Sequence, residues 1–179
     1  EPVTLSAGAS LTLTLDAVRN MDTLYLNPAT DIDVAPGTGG SLLLQSGSIR
    51  RTAGYATNVT VSADVELGAD GTFEQFAGNP SFLTISGNIS DGGNGYGFTR
   101  TGYRSMAISG DNTFDGDLIE NGSNNSSLTI SGDNSARDGD TILDVDSGQG
   151  GISATTTTAF GTGTVKVTGD SSNQSLMAN

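Results

Sequence analysis

The 179-residue chain contains no cysteine, no histidine and no tryptophan, and only four prolines. Without cysteine there is neither a disulfide framework nor thiol chemistry. Without cysteine or histidine, a Ser–His or Cys–His nucleophile and an imidazole metal site are both excluded. Basic residues are scarce as well: 7 Lys and Arg stand against 20 Asp and Glu, giving a formal net charge of −13. Such a chain lacks the clustered cations that displace counterions from nucleic acid, and an anionic membrane surface would repel it. No apolar run reaches membrane-spanning length, so this segment is not expected to insert in a bilayer. The chain begins without Met or a basic-plus-apolar leader, as expected of a mature or excised segment.

What the chain has in excess is glycine, 26 residues of it, and repetition. LTISG occurs at 83–87 and again at 128–132; MAISG stands between them at 106–110 and VTVSA upstream at 59–63. The starts at 59, 83, 106 and 128 are separated by 24, 23 and 22 residues. A phrase returning at such a period marks a stacked-coil architecture. Within it, Leu83, Ile85, Leu128 and Ile130 alternate with Thr84, Ser86, Thr129 and Ser131. Alternation puts aliphatics on one face and hydroxyls on the other, the pattern of a half-buried strand. Each phrase stops at glycine (Gly87, Gly110, Gly132, and later Gly169). Gly110-Asp111-Asn112 and Gly132-Asp133-Asn134 have the composition of corners.

Helical patterning is nearly absent; residues 15–26 are the one short candidate, and their TLYL end reads better as a strand. The expected fold is therefore all-β, a right-handed parallel β-helix of roughly eight coils. Three regions are expected. Residues 1–40 form irregular N-terminal coils, 41–169 hold the regular repeats, and 170–179 are a linker or fraying end. The six phenylalanines, Phe73, Phe76, Phe82, Phe98, Phe114 and Phe160, are expected to stack inside the coils.

Residues 98–117, FTRTGYRSMAISGDNTFDGD, resemble the passenger-associated-transport-repeat of bacterial autotransporters. Phe98, Arg100, Thr101 and Gly102 match the first part of that pattern, with Arg100 where the family has Lys. Met106, Ile108, Ser109, Gly110, Asn112, Thr113, Phe114 and Gly116 match the second. FLTISGNISDGGNGYG at 82–97 is similar to the segment that usually precedes the repeat, and AFGTGTVKV at 159–167 to the one that follows. The resemblance spans about residues 41–169. It implies a secreted, extracellular β-helix on a bacterial surface that displays or extends something, and no fixed activity.

Candidate sites are few. Asp115 with Asp117, and Asp144 with Asp146, are carboxylate pairs at spacing two, which alternation places on one face. Such pairs could serve glycoside chemistry or supply hard oxygens to a structural Ca²⁺, although Asp at a corner is ordinarily turn chemistry. GGNGYGFTR at 92–100 is similar to a calcium-binding nonapeptide, with Gly97 where the ligand Asp belongs. Tyr96, Arg100, Tyr103 and Arg104 form a candidate recognition patch for sugars or proteins. The leading expectation is a non-enzymatic structural rod: a stalk, adhesin passenger or fibre unit with no required cofactor. The alternatives are a carbohydrate-active β-helix using paired Asp, and a filament subunit whose open ends stack.

Overall fold

A computed structural model describes residues 3–5, 10–27, 29–52, 56–76, 81–123, 125–146 and 148–178. Among them there is no helix. In chain order the strands are β1 (Val3–Leu5), β2 (Leu11–Leu15), β3 (Val18–Leu26), β4 (Ile32–Pro36), β5 (Ser41–Arg51), β6 (Asn58–Val61), β7 (Asp64–Leu67), β8 (Gly71–Gln75) and β9 (Phe82–Ile85). They continue with β10 (Ile89–Ser90), β11 (Phe98–Gly102), β12 (Met106–Ile108), β13 (Leu118–Gly122), β14 (Leu128–Ile130), β15 (Thr141–Leu143), β16 (Gln149–Ala154), β17 (Val165–Val167) and β18 (Asn173–Ala178).

These strands make two parallel sheets. Sheet I runs β1-β3-β5-β8-β11-β13-β15-β17, with β7 and β10 paired alongside; sheet II runs β2-β4-β6-β9-β12-β14-β16-β18. The chain passes from one sheet to the other in every turn, so the molecule is a parallel β-solenoid. The eight strands of sheet II enclose seven intervals, about 34 Å of stacking at roughly 4.8 Å per strand. The count is therefore about seven turns rather than eight, because each end contributes only part of a coil.

The repeat phrases register as their spacing requires. Ile108 lies opposite Ile85 on one side and Ile130 on the other. The column extends through Val61 and Val34 in one direction and Ala154 in the other. A second inward column joins Ile32, Val59, Leu83, Met106, Leu128 and Ile152, all of them buried. Stacking like on like lets each coil bury its apolar face on the next, which no coil could do alone.

Glycine at the end of each phrase has a steric cause. A Cβ on Gly87 would lie 2.1 Å from the Ala63 carbonyl oxygen, and on Gly110 2.3 Å from that of Gly87. Gly132 meets the Gly110 oxygen in the same way and, with φ +81°, also needs the left-handed region. At these three glycines the adjacent coil approaches too closely for a side chain.

The polar corners form ladders between coils. Asp64 Oδ1 accepts the Asn88 N–H at 2.8 Å, Asn88 Oδ1 that of Asp111 at 2.8 Å, and Asp111 Oδ1 that of Asp133 at 2.7 Å. One residue further on, buried Asn112 accepts the Ile89 N–H, and buried Asn134 accepts the Asn112 N–H. Side-chain oxygens thus complete hydrogen bonding where the strands break.

Several expectations change. Residues 18–26 are wholly strand, with a register shift between Met21 and Thr23. Residues 173–178 form β18, paired with β16 over six residues, so the chain up to Ala178 is a further coil and not a linker. In that register Leu176 lies opposite Ile152, a pairing too short to read in sequence. β2 and β4 continue the register of the later strands, while residues 1, 2, 6–9 and 28 of the expected N-terminal region lie outside the described residues. Among the phenylalanines, Phe73 and Phe98 stack with ring centroids 4.1 Å apart, and Phe114 lies 5.3 Å from Phe98. Phe82 instead has outward parity and is 51% exposed.

Candidate functional site

The strongest polar constellation is inside the solenoid. β11 reads Phe98-Thr99-Arg100-Thr101-Gly102 and β13 reads Leu118-Ile119-Glu120-Asn121-Gly122, with Arg100 directly opposite Glu120. Both share parity with Phe98 and Leu118, so both point inward, and both are 0% exposed. Arg100 Nη1 donates to Glu120 Oε1 at 3.0 Å. The same oxygen accepts from the Gly122 N–H at 3.1 Å and the Ser126 hydroxyl at 3.0 Å. Gly122 leaves the room for this: a Cβ there would stand 1.8 Å from Arg100 Nη1.

Burial pulls both partners toward neutrality. Desolvation lowers the Arg100 pKa against the attraction of Glu120, and desolvation raises that of Glu120 against Arg100 and its hydrogen-bond donors. Two further guanidiniums share the interior. Arg51 donates to the Phe82 carbonyl at 2.8 Å and to the Thr57 backbone and hydroxyl oxygens at 2.5 and 2.7 Å. Arg137 lies 4.7 Å from the Phe114 ring and donates to the Asp140 and Phe160 carbonyls and the Thr141 hydroxyl. Desolvation brings each down to about 10. Their hydrogen-bond partners named here are neutral oxygens, while the charge of Asp31 acts on Arg51 and those of Asp117, Asp140 and Asp138 on Arg137 against the desolvation.

The expected recognition patch is therefore divided. Arg100 is interior, because its parity within β11 turns it to the core, where Glu120 receives it. Tyr96 packs partly buried against the apolar cluster. Tyr103 donates its hydroxyl to the Phe76 carbonyl at 2.7 Å and meets the Phe76 ring edge-on at 5.2 Å. The Arg104 guanidinium sits 5.1 Å from the Tyr103 ring. Tyr103 and Arg104 remain together, half-exposed, on the turn after β11.

Asp91, which carried no expectation, organises the 92–97 loop. Its Oδ1 accepts from the Gly93 N–H at 3.0 Å, and its Oδ2 from the Gly95 and Tyr96 N–H groups at 2.5 and 2.9 Å. Gly92, Gly93 and Gly95 all have positive φ, which lets the loop turn its amides toward the carboxylate. The nonapeptide-like segment is thus built around a protein anion: its inward groups are donors, whereas calcium requires oxygens. Burial would raise the Asp91 pKa, but the amides of Gly93, Tyr96, Gly95 and Asp115 outweigh it and hold the group below the ordinary aspartate value. The carboxylate therefore contributes stability that is complete above about pH 4 and lost as pH falls through its depressed value. Asp91→Asn is expected to destabilise the chain by about 1.5–3 kcal/mol at pH 7, with the difference shrinking toward pH 2. Denaturant midpoints of both proteins across that range would check it; a pH-independent difference would contradict it.

One aspartate of each pair serves coil-to-coil bonding. Asp117 Oδ1 accepts the Asp140 N–H at 3.0 Å, and Asp140 in turn accepts that of Thr164 at 2.8 Å. Asp144 accepts from the Thr168 hydroxyl at 2.6 Å, while Asp146 is exposed. Asp115 and Asp117 line one shallow groove with Asp70, whose own carboxylate accepts the Gly97 N–H at 2.8 Å. Desolvation, then the carboxylates of Asp138 and Asp91, raise the Asp115 pKa. Among the described residues no three acidic side chains gather as metal ligands.

Fold and site together define a parallel β-solenoid with a polar interior seam. No family model matches the chain, and no curated protein or solved structure matches it either.

Proposed function

We propose that this chain is a rigid structural or display segment of a secreted bacterial surface or matrix protein, in the manner of an autotransporter-like passenger. The observation that supports it is the unbroken parallel register of sheet II from β2 to β18. Every coil is fastened to the next by strand pairing, apolar columns and side-chain ladders at the corners. Such a scaffold resists bending because any hinge would break all three at once. One carboxylate of each candidate pair is engaged in a backbone or hydroxyl hydrogen bond, Asp117 with the Asp140 N–H and Asp144 with the Thr168 hydroxyl.

The test is a panel of acidic and neutral polysaccharides, assayed by reducing-end release and unsaturated-product absorbance. The expected result is no turnover. Turnover that disappears in Asp115→Asn or Asp144→Asn would replace this reading with the carbohydrate-active one.

A further inference from the structure

Where the chain leaves sheet I and turns toward sheet II, the interior carries a polar seam. On the sheet I side, Gln75 of β8 lies opposite Gly102 of β11, which lies opposite Gly122 of β13. Arg100 and Glu120 stand two residues earlier on β11 and β13. On the sheet II side, Ser81, Arg104 and Ser126 each come two residues before the registered column of Leu83, Met106 and Leu128. The two sides meet. Gln75 Nε2 donates to the Ser81 hydroxyl at 3.4 Å, and the Ser126 hydroxyl donates to Glu120 Oε1 at 3.0 Å. Register puts Arg104 on the coil between them.

Hydrogen bonding in this seam is incomplete. Gln75 Oε1, Arg100 Nε, Arg100 Nη2, Arg104 Nε and Glu120 Oε2 are buried and have no partner within the chain. They are five of the seven such side-chain atoms among the described residues, and all five fall on three consecutive coils. Scattered orphans would mark isolated misfits, whereas a cluster on one seam calls for a shared partner, since buried polar groups are satisfied in folded proteins. Gln75, Arg100 and Glu120 are each 0% exposed, so bulk solvent does not supply it.

The count of donors and acceptors selects the ligand. Nε and Nη2 lie along one edge of the Arg100 guanidinium and present two parallel N–H groups. Glu120 takes only Nη1, so that edge is open. An anion could bind the edge, but it donates nothing, and it would leave Gln75 Oε1 unmet and face the Glu120 carboxylate. A metal cation would suit the oxygens and be repelled by Arg100. Water accepts two hydrogen bonds and donates two, which matches both sets, and a buried water makes about three. The acceptors flank the donors along the seam: Gln75 is on the coil before Arg100 and Glu120 on the coil after. Arg104 leads outward, a half-exposed residue whose guanidinium lies over the Tyr103 ring.

We propose that ordered water is bound inside the solenoid in this seam, held by the Nε–Nη2 edge of Arg100 and by Gln75 Oε1 and Glu120 Oε2, with Arg104 Nε at its outer end. The site is independent of the display function and rests on the interior alone.

Deuteron relaxation dispersion of the full chain tests it, because it detects waters held far longer than surface hydration. The native chain is expected to show such waters, and the Arg100→Met/Glu120→Leu double variant at least one fewer. Thr72→Ala, on the outer side of sheet I, should match the native chain. Circular dichroism separates loss of the site from loss of the fold. A crystal structure of the native chain gives a second readout that needs no variant. It should show water within hydrogen-bond distance of Arg100 Nε or Nη2 and of Gln75 Oε1 or Glu120 Oε2. Equal counts of long-lived water in the native chain and the folded double variant would overturn the proposal. So would crystals in which Gln75 or Glu120 bonds the Arg100 edge directly, or in which soaked bromide takes the position, which would assign the site to an anion.

Discussion

Replacing Glu120 by leucine is expected to destabilise the chain by about 3–5 kcal/mol, because it strands the Arg100 guanidinium inside the solenoid with no counter-charge. Arg100 Nη1 would keep only the Gly102 carbonyl at 3.3 Å. The double variant Arg100→Met/Glu120→Leu should recover most of that loss, since the pair removed together leaves no buried charge and methionine and leucine fill similar volume. The diagnostic quantity is the coupling in a double-mutant cycle, read from denaturant midpoints with constant slope. A double variant as unstable as Glu120→Leu alone would show that the pair contributes more than mutual neutralisation. Ser126→Ala, which removes one donor to Glu120 Oε1, should cost about 1 kcal/mol.

Ile108→Asp is expected to cost several kcal/mol, roughly 3 or more, and could prevent folding altogether. Ile108 is 1% exposed and lies between Ile85 and Ile130. A carboxylate there has aliphatic groups above and below. By contrast, Asp111→Ala removes one exposed acceptor from the Asp133 N–H and should cost about 1 kcal/mol or less. Equal denaturation midpoints for the two variants would contradict the assignment of inside and outside.

These two expectations differ in how far the sequence announced them. Ile108 could be placed from LTISG, MAISG and VTVSA, since a period near 23 with strict alternation has one economical solution: stacked coils with the aliphatics inward. Asp111 and Asp133 followed from the same words, because acids beside glycine at a strand end are corner residues; Asp64, which follows Ala63, carried no such signal. Arg100 was legible only in part. Its parity with Phe98 pointed inward, but burying an arginine is prohibitive without a partner, and Glu120 stands twenty residues away in a phrase, LIENG, with no motif. Asp91 had no signal beyond the glycines that follow it, which turn their amides back upon it only once the loop is closed.

The sequence by itself therefore determined the architecture: repeat period, alternation and glycine columns are local or periodic properties, and the backbone has few ways to satisfy them together. It also placed hydroxyls at the outward parity of VTVSA and LTISG, at Thr60, Thr84 and Thr129. Tertiary structure alone decided which charges are interior, which carboxylates are consumed by the next coil, and that β18 pairs with β16. Those outcomes depend on register between coils, a contact over some 20–27 residues of chain. A one-residue slip there exchanges inside for outside, so the partner of a buried charge is fixed only when the coils have stacked.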